Sequence, residues 1–369
     1  MITYFVARSA NHTIRDYLAS AGQPLAHLID VLPYDDLYRR MEIPAGCCIF
    51  AALDQVSDVQ RRVIRDLAGQ LGGSHVHVLN DPRHVRLRYE LLRTLYAAGE
   101  NVFNAYRATD AAEVARFPVF VRDEHLHNGS LTPLVHTVEE LQSALRALML
   151  RGRRLSDLMI VEFCDTADDR GLFRKYAAFK VGDTIVPRYL QVSQHWMIKE
   201  GTRISDRDAL AEDREYLESN PHEAWLRNIF ALARIDYGRI DYGLLNGRPQ
   251  VWEINTNPAL GCSRPIARHR HVGADARELD ALKAIFHERF ADALIKVAGK
   301  GDHHPLPLRL NDDTRGSLRI DALRARRHDR LASWVTRVVE SPWVQAAKPW
   351  LKRVALIIAP LIARLPRRP

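Results

Sequence analysis

Short apolar runs alternate with amphipathic helical stripes through the first hundred residues, and this alternation restricts the fold more than any other feature of the chain. Ile2–Ala7, Cys47–Leu53 and Val76–Leu79 are apolar runs of strand length. Helical spacing fills the intervals at Thr13–Ala21, Val56–Leu71 and Arg83–Ala98. In the second of these, Val56, Val59, Val63, Ile64, Leu67 and Leu71 form the stripe of a packed helix, and Gly72-Gly73 ends it. A strand that is apolar throughout is covered on both faces, as strands of parallel sheets are. The N-terminal third is therefore expected to be an open parallel sheet with covering helices.

The middle of the chain has a different grain. Pro118–Arg122, Leu158–Cys164, Tyr176–Val181, Thr184–Leu190, Gly238–Leu245 and Gln250–Asn255 read as strands, with helices at Val138–Leu150, Asp208–Ser219 and Glu223–Arg234. This is the pattern of an α+β pair of lobes. A helix over Asp275–Val297 closes the compact part, and a polar stretch to Gly316 reads as a linker. Two amphipathic stretches follow, Leu318–Val339 and Trp343–Arg364.

The 369 residues carry a formal charge of +8, and residues 301–369 hold all of it, with 14 Lys/Arg against 6 Asp/Glu. The first 300 residues hold 39 of each sign, which argues against a nucleic-acid-binding body. Four cysteines with no CxxC pair exclude a disulfide scaffold and a cysteine zinc site, and they suit a reducing, cytoplasmic setting. No secretory leader is read at the N-terminus, and no 18-residue apolar run suggests a membrane span. The ten-residue apolar run Val354–Ala363, flanked by basic residues, leaves four readings for the tail: disorder, docking on the body, docking on a second subunit, or peripheral contact with an anionic membrane.

The chemistry-bearing segment is Val251-Trp252-Glu253-Ile254-Asn255-Thr256-Asn257-Pro258. Glu253 and Asn255 are two apart and share one face of a strand, with Trp252 and Ile254 expected on the other. A carboxylate beside an amide oxygen is a hard-oxygen pair of the kind that suits Mg2+. Asp241, twelve residues earlier, joins them only if a hairpin aligns it. A two-residue loop at Asn246-Gly247 sets Asp241 opposite Trp252, on the wrong face, so an odd-length loop is expected. Spacing alone reads Asp241 and Glu253 equally well as solvated strand-face charges. Arg234-Ile235-Asp236-Tyr237-Gly238 recurs at once as Arg239-Ile240-Asp241-Tyr242-Gly243, and residues five apart in a strand face opposite ways, so Asp236 is not expected beside Asp241.

Together, Asp241, Glu253, Asn255 and Pro258 resemble the metal strand of the ATP-grasp superfamily, over about residues 75–297. The resemblance implies an α/β and α+β chain: a parallel-sheet pre-grasp domain (1–106), a first lobe (107–165), a second lobe carrying the metal strand (166–300) and a basic, partly helical tail (301–369). It implies ATP and Mg2+ as cofactors, with Asp241, Glu253 and Asn255 as metal ligands. Arg122 stands where the family has a phosphate-binding lysine, and Arg107 matches an earlier basic residue. Gly129 lies in the place of the glycine-rich phosphate loop. Glu162, Phe163 and Cys164 match the hinge that reads adenine. Lys199, Arg188 and Lys175 match the basic residues that stabilise the transferred phosphoryl group, with Arg239 a lesser candidate. The activity implied is ligation of a small-molecule or peptide carboxylate to an amine through an acyl-phosphate. A grasp-fold kinase and a nucleotide-binding regulator or scaffold without turnover are the alternatives.

Overall fold

The computed structural model describes residues 1–44, 46–73, 75–126, 129–198, 202–261, 274–300 and 305–340. The first segment runs β1 (Ile2–Val6), α1 (His12–Leu18), β2 (Ile29–Pro33), β3 (Glu42–Ile43), β4 (Cys47–Phe50), α2 (Asp58–Gly72), β5 (His77–Leu79) and α3 (Arg88–Ala97). Strands β2, β1, β4 and β5 form a parallel sheet in that order. Its two central strands, β1 and β4, are wholly buried, as their predominantly apolar composition requires. The helix α2 starts at a capping box: the Ser57 hydroxyl accepts the Gln60 N–H at 3.2 Å, and the Gln60 side chain accepts the Ser57 N–H at 3.4 Å.

The next segment is β6 (Ala105–Arg107), β7 (Val119–Asp123), α4 (Val138–Leu150) and β8 (Leu158–Glu162). Its three strands form an antiparallel sheet in the order β6-β8-β7. Then come β9 (Phe173–Val181), β10 (Thr184–Ser193), β11 (Arg203–Ile204), α5 (Arg207–Ser219), α6 (Glu223–Ala233), β12 (Tyr237–Leu245), β13 (Arg248–Asn255) and α7 (Ala274–Ala298). These strands form a second antiparallel sheet, β11-β10-β9-β12-β13. The expected order of a parallel sheet followed by two α+β lobes is thus the order the chain adopts. A short β14 (Leu306–Pro307) pairs with β3, and a basic helix α8 spans Asp312–Glu340. The chain divides into two compact units, Met1–Leu318 and Arg319–Pro369. Of the second, the described part, 319–340, is helical, and the apolar run at 354–363 lies outside the described residues. Among the described residues, no helix is long and apolar enough to cross a membrane.

Helix α7 supplies the core between the parallel sheet and the second antiparallel sheet. Phe290 meets Tyr17 of α1 edge-on at 5.4 Å and Phe179 of β9 at 5.2 Å. It is fully buried, which contributes about 1.5–3 kcal/mol. The other face of the five-stranded sheet packs on α5 and α6 through Tyr176, Tyr242, Tyr216 and Phe230. The five-residue repeat explains part of this division: Tyr237 enters the core shared with the parallel sheet and Tyr242 enters the opposite one.

Two asparagines tie these layers together. Asn80 donates to Phe50 O (3.1 Å) and Tyr237 O (2.6 Å) and accepts from the N–H groups of Asp236 and Tyr237 (2.8 and 2.9 Å). Asn257 accepts from the Tyr4 and Thr13 hydroxyls, both at 3.0 Å, and donates to Ala10 O at 2.9 Å. The segment after β13 is thereby fastened to the carboxyl end of the parallel sheet.

Candidate active site

The hairpin of β12 and β13 closes through Asn246 and Gly247, both with positive φ (51° and 78°), and Leu245 pairs with Arg248. The loop therefore has two residues, not the odd number expected from sequence. Asp241 nevertheless pairs with Glu253, because the register shifts by one between Asp241 and Tyr242. Trp252 is the extra residue of this β-bulge. It packs against the small core around Phe103, with ring centroids 5.4 Å apart, and also lines the cavity beside Glu253. Gly243 makes room for it: a Cβ there would lie 2.9 Å from Trp252 Cζ2. Pro249 is tolerated because β13 is an edge strand.

This strand pair forms one wall of a cavity of about 260 Å3. Asp241, Glu253, Asn255, Arg122, Lys175, Arg239 and Gly129 line it, together with Glu162, Phe163 and Cys164 of the hinge after β8. Trp196, Met197 and Ile198 from the loop after β10 complete the lining. Trp196 packs on Phe120 at 5.0 Å and on Phe163 at 5.6 Å, so one end of the cavity is aromatic and the other ionic. Lys199 lies outside the described residues.

At the ionic end each carboxylate already faces cations. Arg239 grips Asp241 with two bonds, Nε to Oδ1 at 2.6 Å and Nη2 to Oδ2 at 3.0 Å. Lys175 Nζ stands 4.0 Å from Asp241 Oδ2 and donates to Ile198 O at 3.4 Å. Glu253 Oε2 is shared by Arg122 at 2.6 Å and Arg88 at 3.0 Å. Arg88 also donates to the carbonyls of Asp123, Glu124 and Leu126 (3.1, 2.8 and 2.9 Å), which fixes the chain beyond β7. The two arginine environments differ. Burial lowers the Arg122 pKa, and Arg88 opposes the support that Glu253 gives. Burial also acts to lower Arg239, but Asp241, Tyr189 and Glu253 together outweigh it and hold that pKa above its ordinary value.

Two carboxylates and an amide oxygen on facing strands are a donor set that fits magnesium, and Asp241, Glu253 and Asn255 would hold it. The third donor being an amide agrees with there being, among the described residues, no group of three or more His, Cys, Asp or Glu able to hold a metal. The carboxylates' present partners are guanidinium groups, so a cation would compete with arginine here rather than enter an empty cage.

Three expected residues are placed differently. Arg107 is not on this cavity. Its guanidinium pairs with Glu124 and lies 4.1 Å over the Tyr89 ring, on the wall of a second cavity. Arg188 falls at a register shift in β10 and does not line the cavity; it lies over Phe286 of α7 at 4.3 Å and over Tyr189 at 5.7 Å, the ring that Lys175 and Arg239 also face, at 5.6 and 5.7 Å. Glu162 lines the cavity, but its carboxylate is spent inside the protein, accepting from the Asn104 N–H at 2.8 Å, the Tyr106 hydroxyl at 2.9 Å and Arg116. The hinge N–H groups of Glu162 and Phe163 are likewise bonded, to Asn104 O and Pro118 O. The N–H of Cys164 has no protein acceptor among the described residues. Burial pushes the Cys164 thiol up to about 11, so it stays protonated near neutral pH and is no nucleophile.

Sequence reading missed Arg88. Its signal was present: Arg88, Leu91, Leu92 and Leu95 occupy the buried stripe of α3, where a charge is out of place unless it has a partner.

No protein-family model matches the sequence, and no curated protein matches it. Among solved structures the chain is similar to the D-alanine–D-alanine ligase from Bacillus anthracis complexed with ATP, at 12% identity and a TM-score of 0.44, over 80% of this chain and 96% of that one. It is similar to the RimK domain protein ATP-grasp from Sphaerobacter thermophilus at 13% identity and a TM-score of 0.41, over 80% and 100%. It is also similar to an L-amino acid ligase from Bacillus licheniformis, at 10% identity and a TM-score of 0.38, over 83% and 74%. What the cavity can do follows from its own side chains rather than from these overlaps.

Proposed function

We propose that the chain is an ATP-dependent ligase of the ATP-grasp type, joining a carboxylate to an amine with release of ADP and phosphate. One observation carries this reading. Asp241, Glu253 and Asn255 share a cavity with Lys175, Arg122 and Arg239, opposite an aromatic end at the hinge. Counting Arg88 behind Glu253, four cations face two carboxylates, an excess that suits a triphosphate. The base would lie between Trp196 and the hinge, with the Cys164 N–H offered to its edge. Lys175, Arg122 and Arg239 would hold the phosphates in line with an acceptor carboxylate, since phosphoryl transfer needs positioning and charge stabilisation more than a protein nucleophile. A bound magnesium would neutralise phosphate charge. The acceptor carboxylate oxygen takes the γ-phosphoryl group as ADP leaves. The amine nitrogen then attacks the acyl carbon, loses a proton and expels phosphate.

The test is thermal unfolding with and without Mg-ATP in wild type and Glu253→Gln, followed by ADP release with hydroxylamine as the amine. A saturating ligand, at about 100 times its Kd, adds roughly 2.7 kcal/mol. A rise in wild type that shrinks in Glu253→Gln, with acid-dependent hydroxamate formation, is the expected result. No rise in wild type overturns the reading.

A second reading, nucleotide binding without turnover, is favoured by one observation: both candidate metal carboxylates are held by arginines, and Arg122 replaces the lysine of the resembled family. It is the outcome if ATP stabilises the protein equally with and without magnesium and no acid provokes ADP release.

A further inference from the structure

Beside the cavity described above lies a larger one, of about 530 Å3, that the ligase reading leaves without a role. Its charge is one-sided. Arg61, Arg65, Arg83, Arg86 and Arg107 line it, against Glu90 and Glu124. Two of these arginines are already neutralised: Arg83 by Asp81 at 2.6 Å, and Arg107 by Glu124. Arg86 donates to the Leu232 carbonyl and, among the described residues, has no carboxylate partner. Among the described residues, Arg61 and Arg65 have no carboxylate partner. They stand one turn apart on α2, where like charges repel. The capping box at Ser57 and the buried stripe of Val63, Ile64 and Leu67 fix the helix that presents them. A fold that holds several uncompensated guanidinium groups around one concavity gains most from an anion placed among them.

The position of the cavity agrees with that chemistry. Leu53 lies just past β4 and Pro82 just past β5, so the cavity opens at the carboxyl ends of parallel strands, where open sheets of this kind bind ligands. It also adjoins the first cavity: Glu124 lines it, and the Glu124 carbonyl is held by Arg88, which in turn holds Glu253.

We propose that this second cavity binds a small polyanion, a molecule carrying at least two carboxylate or phosphate groups, through Arg61, Arg65 and Arg86. The inference concerns binding and does not rest on the ligase reading.

The test is titration calorimetry on the full chain in metal-free, low-salt buffer. Citrate and pyrophosphate are the probes, and acetate at matched ionic strength is the monovalent control. The expected result is one-to-one binding of citrate or pyrophosphate but not acetate. The double variant Arg61→Gln/Arg65→Gln should weaken it about tenfold or more, the loss expected when charge-assisted hydrogen bonds are removed. Lys175→Met, in the first cavity, should leave it within about twofold. Tighter citrate binding assigns the ligand as a polycarboxylate, and tighter pyrophosphate binding assigns it as a phosphate compound. An unchanged melting temperature shows that the double variant is folded. Absence of binding by either probe overturns the proposal, as does binding that survives the double variant or that is lost in Lys175→Met. Mg-ATP is titrated into the same wild-type preparation, so the ligase reading can fail while this one stands, and the reverse.

Discussion

The two cavities are linked through Arg88 but treat charge in opposite ways. In the smaller one Asp241 is gripped by Arg239, and Glu253 lies between Arg122 and Arg88. In the larger one, among the described residues, Arg61, Arg65 and Arg86 have no carboxylate partner, and Arg86 donates to a carbonyl. In the first site each carboxylate is paired with guanidinium groups and buried, so its side chains are positioned before any ligand arrives, although cations outnumber carboxylates there. Its ionic groups also support the fold, because removing one leaves the other buried and alone. The second site has little internal balance. Arg61 and Arg65, with no carboxylate partner among the described residues, are expected to add little to stability. Balanced charge makes a rigid site that must exchange partners, and unbalanced charge makes a site that waits for one.

The largest effect that separates them is on stability. Glu253→Ala would leave Arg88 and Arg122, 5% and 9% exposed, without the carboxylate they share. We expect a loss of about 3–5 kcal/mol in urea unfolding, the usual cost of breaking a buried pair from one side. A loss under about 1 kcal/mol would show that the arginines find other partners, and the contrast between the cavities would collapse.

Asp213 lies between the two cases. It is a buried carboxylate that accepts the Leu190 N–H at 2.8 Å, and its guanidinium contact, Arg203, is 3.5 Å away. Burial pushes its pKa up to about 6. A carboxyl group whose folded pKa is raised helps the fold while protonated, and that contribution is lost as pH rises through about 6. Asp213→Asn keeps an oxygen for Leu190 and cannot ionise. It should match wild type near pH 4 and exceed it by roughly 2–3 kcal/mol at pH 8, since each pKa unit is worth about 1.4 kcal/mol. Equal stability at both pH values would mean that Arg203 balances the charge after all.

Gly243→Ala tests the packing that sets the first cavity's register. The added Cβ would lie 2.9 Å from Trp252 Cζ2 and 3.3 Å from the Arg174 carbonyl oxygen. Overpacking of this kind costs about 1–3 kcal/mol. If Trp252 is displaced, Mg-ATP stabilisation should fall as well, and calorimetry would separate that loss from the change in melting temperature. The smallest effect is expected from Arg61→Gln/Arg65→Gln, which should change unfolding free energy by under about 0.5 kcal/mol, as surface substitutions without partners do. A larger loss would show that these arginines are structural.

Much of the architecture was legible because it depends on local periodicity. The apolar runs of β1 and β4, the stripe of α2 and the whole of α4 over Val138–Leu150 follow from residues within a turn or two of each other. The hard-oxygen pair Glu253 and Asn255 was legible for the same reason. The strands β2 and β6, with less continuous patterns, were not. Arg107 and Arg188 were placed by resemblance to a pattern, and the fold spends them on Glu124 and Phe286.

The sequence by itself determined the elements, their order, and a strand with a carboxylate and an amide on one face, because side-chain direction along a strand or helix is set by the backbone repeat. Only the tertiary structure decided that Asp241 meets Glu253, since the register depends on a bulge at Trp252 that the absence of a side chain at Gly243 permits. Only the tertiary structure could set Arg88 against Glu253, 165 positions along the chain. It alone gathered five arginines from α2, the segment after β5 and β6 around one space. Ion pairing and concavity are properties of distances between residues remote in the chain, and no local spacing encodes them.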